Sequence, residues 1–296
     1  MRILLTGGSG DVGTLLTIDL VKRGDQVVNI DMAAPKVSGA TFVKGSILDR
    51  DLLSKSMQGV DCVVHIAAWH GIHENIKTPA EFHDLNVTGT FNALQAASEA
   101  GVKNFVFVSS TSVADAHGLY GASKLIGEKM TRDYAEHTDM TCIILRPRAF
   151  IPSWNKAVYN NFLEWAHWFM RGAVHVNDFK DAVIHAIDLK TNAKAPVYVI
   201  DGAYDYNPED LAAWDKDGPG STFRKYYSEF IDLTAKHGID ISRKPRVLDI
   251  PAEQHLPGYA PRYTMKNLLR ELAEFGLQGP PAPFESGKKT ASSPKP

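Results

Sequence analysis

Tyr120 and Lys124 stand four residues apart in Tyr-Gly-Ala-Ser-Lys, a spacing that puts both side chains on one face of a helix. A phenol with its ordinary pKa near 10 is a poor base at neutral pH. An ammonium about 4 Å away, at an effective dielectric near 20, favours the phenolate by roughly 4 kcal/mol before desolvation is subtracted. At about 1.4 kcal/mol per pKa unit, that brings the phenol within reach of 7 and makes it a general acid/base. Ser109-Ser110-Thr111 supplies hydroxyls directly after a short apolar run. If that run is a strand, the hydroxyls sit at the carboxyl edge of a sheet, where ligands bind in α/β folds. By itself a Tyr-x-x-x-Lys is mostly a solvated helix face.

A second constellation lies at the N-terminus. Thr6-Gly7-Gly8-Ser9-Gly10-Asp11-Val12-Gly13 falls between an apolar run and a helical pattern, with glycines 7, 10 and 13 spaced by three. Glycines there permit a tight turn, bring backbone N–H groups close to a pyrophosphate and let the helix pack on the strand. The helix N-terminus then faces the phosphate with its partial positive charge. Asp31 closes the next apolar run. Its carboxylate suits a ribose diol and repels a 2′-phosphate, so the cofactor expected is NAD and not NADP. Lys22 and Arg23, near the end of the first helix, work against that discrimination.

These groups need a scaffold, and the first half alternates two hydrophobic periods. Short β-rich runs at Arg2–Thr6, Gln26–Asp31, Ala40–Lys44, Val60–Ile66, Asn104–Ser109 and Met140–Leu145 alternate with helical patterns at Val12–Arg23, Asp49–Met57, Glu81–Ala100 and Tyr120–His137. The alternation predicts a doubly wound parallel sheet with right-handed crossovers. Several runs are apolar throughout, as strands covered on both faces are. After Pro147 the pattern loosens. An aromatic segment from Trp154 to Phe169 is followed by a β-like Ala173–Val176, a helical Asp178–Leu189, a strand Val197–Ile200 and a loop from Asp201 to Ser221. Helical stretches Thr222–His237 and Thr264–Phe275 follow, then an aperiodic Pro/Ser/Lys-rich tail, Gly279–Pro296, expected to be disordered.

Lys plus Arg (32) nearly balances Asp plus Glu (34), so the net charge of −2 offers no broad field to nucleic acid or an anionic membrane. No apolar run approaches the length of a membrane span or a signal-peptide core. Cys62 and Cys142 lie in apolar runs and read as buried thiols, so a cytoplasmic protein is expected.

Taken together, these motifs resemble the extended short-chain dehydrogenases/reductases, the NAD-dependent epimerase/dehydratase branch. Further matching pieces are His65-Ile66-Ala67-Ala68, Asn86-Val87-Thr88-Gly89-Thr90 and Leu145-Arg146-Pro147. The similarity covers about residues 1–150 strongly and thins beyond. It implies a Rossmann-like α/β fold, and with the periodicity three regions are expected. Residues 1–150 form the NAD-binding core, 151–278 a small, partly helical substrate region interleaved with it, and 279–296 the tail. It also implies that Tyr120 is the acid/base, that Lys124 tunes it and holds the ribose, that Ser110 orients the substrate oxygen and that Asn86 supports a proton-relay water. The cofactor would meet Gly7, Ser9, Gly10, Asp11, Val12, Gly13, Asp31, Ser46, Ile47, Ile66, Ala67, Ala68, Ser109, Tyr120, Lys124 and Pro147. At Ser46 the family usually has Asp. Relatives commonly form homodimers through the two long helices, and the same is expected here.

Two intervals are shorter than the branch usually has: the ten residues from Ser110 to Tyr120 and the stretch after Pro147. The compact layout is similar to uronate-dehydrogenase-type members. The expected activity is therefore a dehydrogenase acting on a small sugar, sugar acid or polyol. The alternatives are an epimerase or dehydratase that keeps its NAD, and a non-catalytic NAD sensor. Substrate contacts are expected at Ser110, Thr111, His70, Gly71 and Arg148. His70 reads equally as a solvated loop histidine, and Arg148 and Lys156 equally as surface charges. Trp154, Tyr159, Phe162, Trp165 and Phe169 read as packing or an interface before a sugar-stacking platform. His65, His70 and His83 are irregularly spaced, with no Cys beside them, so no metal is expected.

Overall fold

Seven strands carry the apolar runs: β1 (Arg2–Thr6), β2 (Gln26–Asp31), β3 (Thr41–Lys44), β4 (Cys62–His65), β5 (Asn104–Val108), β6 (Thr141–Pro147) and β7 (Val197–Ile200). In the computed structural model they form one parallel sheet in the order β3-β2-β1-β4-β5-β6-β7. The structure describes residues 1–115 and 118–285. Strand order reverses between β1 and β4, so the carboxyl ends of these two strands open the crevice where ligands bind in such sheets.

The helices are α1 (Asp11–Arg23), α2 (Arg50–Ser56), α3 (Pro79–Phe82), α4 (Gly89–Glu99), α5 (Gly118–His137), α6 (Phe162–Phe169), α7 (Val176–Asp188), α8 (Pro208–Asp217), α9 (Ser221–Tyr227), α10 (Ile231–Lys236) and α11 (Met265–Phe275). Helices α2, α4 and α5 pack in a row, and α1 pairs with α7. Small side chains let α4 approach the sheet: Ala93 and Ala97 are fully buried beside Val63, Phe105 and Ile144. The first compact unit comprises Met1–Phe150, Gly172–Ala203 and Arg246–Tyr263. In it the Arg148 guanidinium reaches Asp201 (3.1 Å) and the Arg246 carbonyl (2.7 Å), tying the ends of β6 and β7 to the returning chain.

The second unit comprises Ile151–Arg171, Tyr204–Pro245 and the chain from Thr264 onward. Its aromatic segment folds partly as α6, with Trp165 and Phe162 buried and stacked at 5.1 Å. Of the expected tail, Gly279–Glu285 pack within this unit: Ala282 is buried and Phe284 meets Trp154 edge-on. Residues 286–296 lie outside the described residues.

Four segments differ from the periodicity reading. Ala173–Val176 is not a strand. Val174 makes one backbone bond to Ala149, and His175 turns the chain into α7 by accepting the Asn177 N–H on its ring. The loop expected from Asp201 to Ser221 contains α8, started by a reciprocal capping pair, Asn207 and Asp210, with Pro208 at the first helical position. The stretch Thr222–His237 breaks after α9, where the Tyr227 hydroxyl is drawn to Asp205 (2.8 Å). Finally, Glu81–Ala100 is not one regular helix, because His83–Thr88 is a wide π-helical turn. Such turns recur at functional sites. Among the described residues no helix is long and apolar enough to cross a membrane.

Candidate active site

Three loops meet at the carboxyl edge of the sheet, after β1, β4 and β5. Gly7 follows β1 with a φ of +73°, and a Cβ there would stand 3.0 Å from the Ala67 backbone. Only glycine lets the turn lie this close to the chain leaving β4. The Thr6 carbonyl and hydroxyl both accept from the N–H groups of Ile66 and Ala67, fixing the two loops together. A Cβ on Gly13 would lie 2.5 Å from Gly8, so α1 springs directly from the turn. Gly10 begins α1 without a side-chain cap, which leaves the helix start suited to an anionic group. Asp31 accepts the backbone N–H groups of Ser9 (3.0 Å) and Ala33 (2.9 Å). A carboxylate has about four acceptor positions, so capacity for a ribose diol is left over. These residues fit a dinucleotide. Asp31→Ala is expected to weaken NAD binding about 10- to 100-fold, the worth of charge-assisted bonds to a diol, while NADP affinity falls far less; titration calorimetry checks it.

On the opposite lip, α5 carries Tyr120 and Lys124. The Ser110 side chain favours the charged form of the Tyr120 phenol, and the Lys124 Nζ sits 5.9 Å from the Tyr120 ring centroid. Lys124 is almost wholly buried and donates to the Val108 carbonyl at 2.7 Å. Here the expected electrostatics need correction. Burial pushes the phenol up to about 12, and it pushes the Lys124 ammonium down to about 7. Burial disfavours both charged forms more than Ser110 favours the phenolate or Glu128 the ammonium. The His70 ring stacks on Tyr120 at 6.1 Å and is held neutral by the same burial, down to about 4. Gly71 faces that ring too. Ser110, Tyr120, Lys124, His70 and Gly71 thus stand together.

Asn86 lies in the π-helical turn and is buried. Its amide accepts from the Trp69 N–H (2.7 Å) and donates to the Trp69 carbonyl and the Ser123 hydroxyl (both 2.9 Å). Both amide protons are therefore committed to the protein, so the side chain clamps the loop to α5 and has none left to donate to a relay water. Behind it, His65 bonds Thr6 (2.8 Å) and Thr90 (3.0 Å), and Thr90 donates to the Asn86 carbonyl. With Thr90 donating onward, His65 Nε2 carries the proton and Nδ1 accepts from Thr6.

Other expected contacts point elsewhere. The Ser109 hydroxyl is fully buried and donates to Glu128. The Ser9 hydroxyl turns inward to the Ala33 carbonyl (2.8 Å), leaving its backbone on the loop. Asp11 pairs with Lys36, and Val12 is core. Ser46 accepts the Leu48 N–H in a local turn, while Ile47 is buried against Gly89. Ala68 lies half-buried beyond Ala67. Thr111 donates to the Pro147 carbonyl at 3.4 Å. Arg148 was expected to meet substrate; its ion pair with Asp201 and its packing against Gly172 commit it to the scaffold. Lys156 is exposed in the second unit.

Two carboxylates escaped the motif reading. Glu128, one turn beyond Lys124, takes a two-pronged bond from Arg146 (2.7 and 2.6 Å) and locks α5 to β6. Glu74, on the loop after β4, accepts the Tyr120 N–H at 2.8 Å. The i,i+4 step to Glu128 was visible in the sequence; nothing in the sequence pairs Glu74 with α5.

Burial also sets an acid limit. His65 is held down to about 3 and His175 to about 3, so both stay neutral in the fold where an unfolded chain binds protons below about 6.5. The unfolded chain then holds more protons, so stability falls as pH drops from about 6.5 toward 3. His65→Gln is expected to bind about one proton fewer on unfolding in this range, flattening the slope by about 1.4 kcal/mol per pH unit; urea unfolding between those limits measures it.

A glycine-rich turn, an acidic strand end and a Tyr/Lys/Ser group share one sheet edge, an arrangement suited to a dinucleotide. Sequence comparison narrows the class: the NAD dependent epimerase/dehydratase family matches residues 3–166, and the chain belongs to it. The UDP-glucose 4-epimerase of Erwinia amylovora is 35% identical over 165 residues, 46% of this chain and 49% of that protein. This chain therefore spans about half the length of that relative. The UDP-glucose 4-epimerase of Klebsiella pneumoniae is 34% identical over 127 residues, 38% of this chain and 91% of that sequence. Among solved structures, MoeE5 in complex with UDP-glucose and NAD superposes with a TM-score of 0.67 over 93% of this chain and 98% of that one. At 19% identity, that likeness speaks for the fold alone. The protein is an NAD-dependent enzyme of this family.

Proposed function

We propose that this enzyme oxidises a secondary hydroxyl of a sugar or sugar nucleotide to a ketone and returns the hydride within the same site, as an epimerase does. The observation that carries this reading is Tyr120 on the first turn of α5, its ring 5.9 Å from the buried Lys124 Nζ, with Ser110 at the end of β5 favouring its charged form. When bound, NAD supplies a ring that accepts a hydride and gives it back. Gly7, Gly10, Gly13 and Asp31 would hold its pyrophosphate and ribose, and Lys124 its second ribose. Tyr120 must first give its own proton to solvent, with Lys124 supplying counter-charge to the phenolate; the phenolate then takes the proton of the reacting hydroxyl and becomes phenol again, while Ser110 holds the oxygen. In the reverse step Tyr120 returns the proton to the ketone oxygen.

The relatives named UDP-glucose 4-epimerase favour this over net dehydrogenation, which was the first expectation from the shortened intervals. Net dehydrogenation of a free sugar stays as the second reading for one reason: the family match ends at residue 166, before most of the second unit. The test is nucleotide content and product. Freshly purified protein is expected to release NAD on denaturation and to interconvert UDP-glucose and UDP-galactose without accumulating NADH. NADH formation from free sugars or uronates by protein that purifies empty would overturn the epimerase reading.

A further inference from the structure

We propose that Glu74 is a positioning residue for Tyr120, an inference that rests on the acid/base reading of Tyr120 above. Tyr120 donates its backbone N–H to the Glu74 Oε1 at 2.8 Å. This N–H belongs to the first turn of α5, where helix donors lack partners within the helix. Glu74 therefore does from a distant loop what a capping side chain ordinarily does from the adjoining residue. Its negative charge also sits favourably at the start of the helix.

The approach is built into the backbone. Gly118 has a φ of +72°, and a Cβ there would stand 2.6 Å from the Glu74 Oε1 and 2.9 Å from its Oε2. A side chain at 118 would be strained and would displace the carboxylate. At its other end, Glu74 closes the short helical turn Gly71–His73, its N–H bonded to the Gly71 carbonyl (3.1 Å). The same turn carries Gly71 toward the Tyr120 ring, and His70, stacked on that ring, precedes it. Asn86 clamps the near end of this loop through Trp69. Glu74 fixes the far end, so that the loop and the phenol move as one body. The carboxylate acts through the Tyr120 backbone.

The test compares Glu74→Ala, Glu74→Gln and Gly118→Ala in the full chain, with UDP-glucose as probe. Glu74→Ala is expected to lower kcat about a hundredfold, the scale of an ångström misplacement of a catalytic group, with KM changed less than about threefold. Glu74→Gln keeps the acceptor oxygen and is expected to restore most of kcat. Gly118→Ala is expected to resemble Glu74→Ala, and it decides the matter if the latter does not fold. Wild-type kcat in Glu74→Ala, or equal loss in Glu74→Gln, overturns the proposal. If the wild type does not turn over UDP-glucose, the proposed function fails separately, and amide hydrogen exchange decides about Glu74. Faster exchange confined to Gly118–Lys124 in Glu74→Ala, absent in Glu74→Gln, supports positioning; unchanged exchange in both overturns it.

Discussion

Tyr120→Phe is expected to reduce turnover about a thousandfold, within the range that positioned proton transfer supplies, and to leave NAD affinity within a factor of about two. The ring packing survives the change: Phe keeps the stack with His70 and the face toward Gly71. What disappears is the hydroxyl that the proposed function assigns to moving the proton of the reacting oxygen. Steady-state kinetics with UDP-glucose and a separate titration with NAD measure the two effects independently. Turnover close to wild type in Tyr120→Phe would remove Tyr120 from the chemistry and the proposed function with it. The pH profile sharpens the test. Lys124 is pushed down to about 7 and Tyr120 up to about 12. Lys124 thus gains or loses its charge near neutrality while the free phenol stays protonated. Turnover in the wild type should accordingly change in this range, and Lys124→Met should remove that change along with most of the rate.

The second large effect is on stability. Glu128 is 1% exposed, and it accepts bonds from Arg146, paired through two nitrogens, and from the Ser109 hydroxyl. Arg132 adds a longer contact at 3.6 Å. Removing the carboxylate leaves a guanidinium and a hydroxyl without their partner at the junction of α5 and β6. Breaking a buried pair in this way costs about 3–5 kcal/mol. Because the Arg146 side chain is 23% exposed, the lower end applies. Glu128→Ala is thus expected to cost about 3 kcal/mol and lower Tm by roughly 6–12 °C. A double-mutant cycle with Arg146→Leu separates the pair from general packing. If the single losses simply add, the bond is not what holds α5 in place. Glu128→Gln should also depress Lys124 further, since Glu128 is the charge that favours its ammonium.

How much of this was legible beforehand depends on the range of each interaction. The strands were, because a parallel sheet covered on both faces demands unbroken apolar runs such as Cys62–Val64 and Phe105–Val108. Gly7, Gly10 and Gly13 were legible because a turn this tight has few alternatives, and Tyr120 and Lys124 because a helix fixes the relation of residues four apart. Asn86 was visible as a motif, whereas its job was not. A π-helical turn swings it between Trp69 and Ser123, a conformation no periodicity announces. Helix α8 was missed although Asn207 and Pro208 mark its start, because the surrounding Asp and Gly residues read as loop.

What the chain by itself determined is therefore local: the apolar strands of the first half, the glycine turn after β1, and the four-residue step between Tyr120 and Lys124. Tertiary structure decided the rest. It turned Ser109 toward Glu128 and Arg148 toward Asp201, and it brought Glu74 to the backbone of Tyr120. It also reversed the expected charge balance of the pair. The Coulomb attraction between Tyr120 and Lys124 depends on a spacing the sequence specifies. The desolvation that raises the phenol and lowers the ammonium depends on burial, which exists only once the sheet, the loops and α5 have closed around both groups.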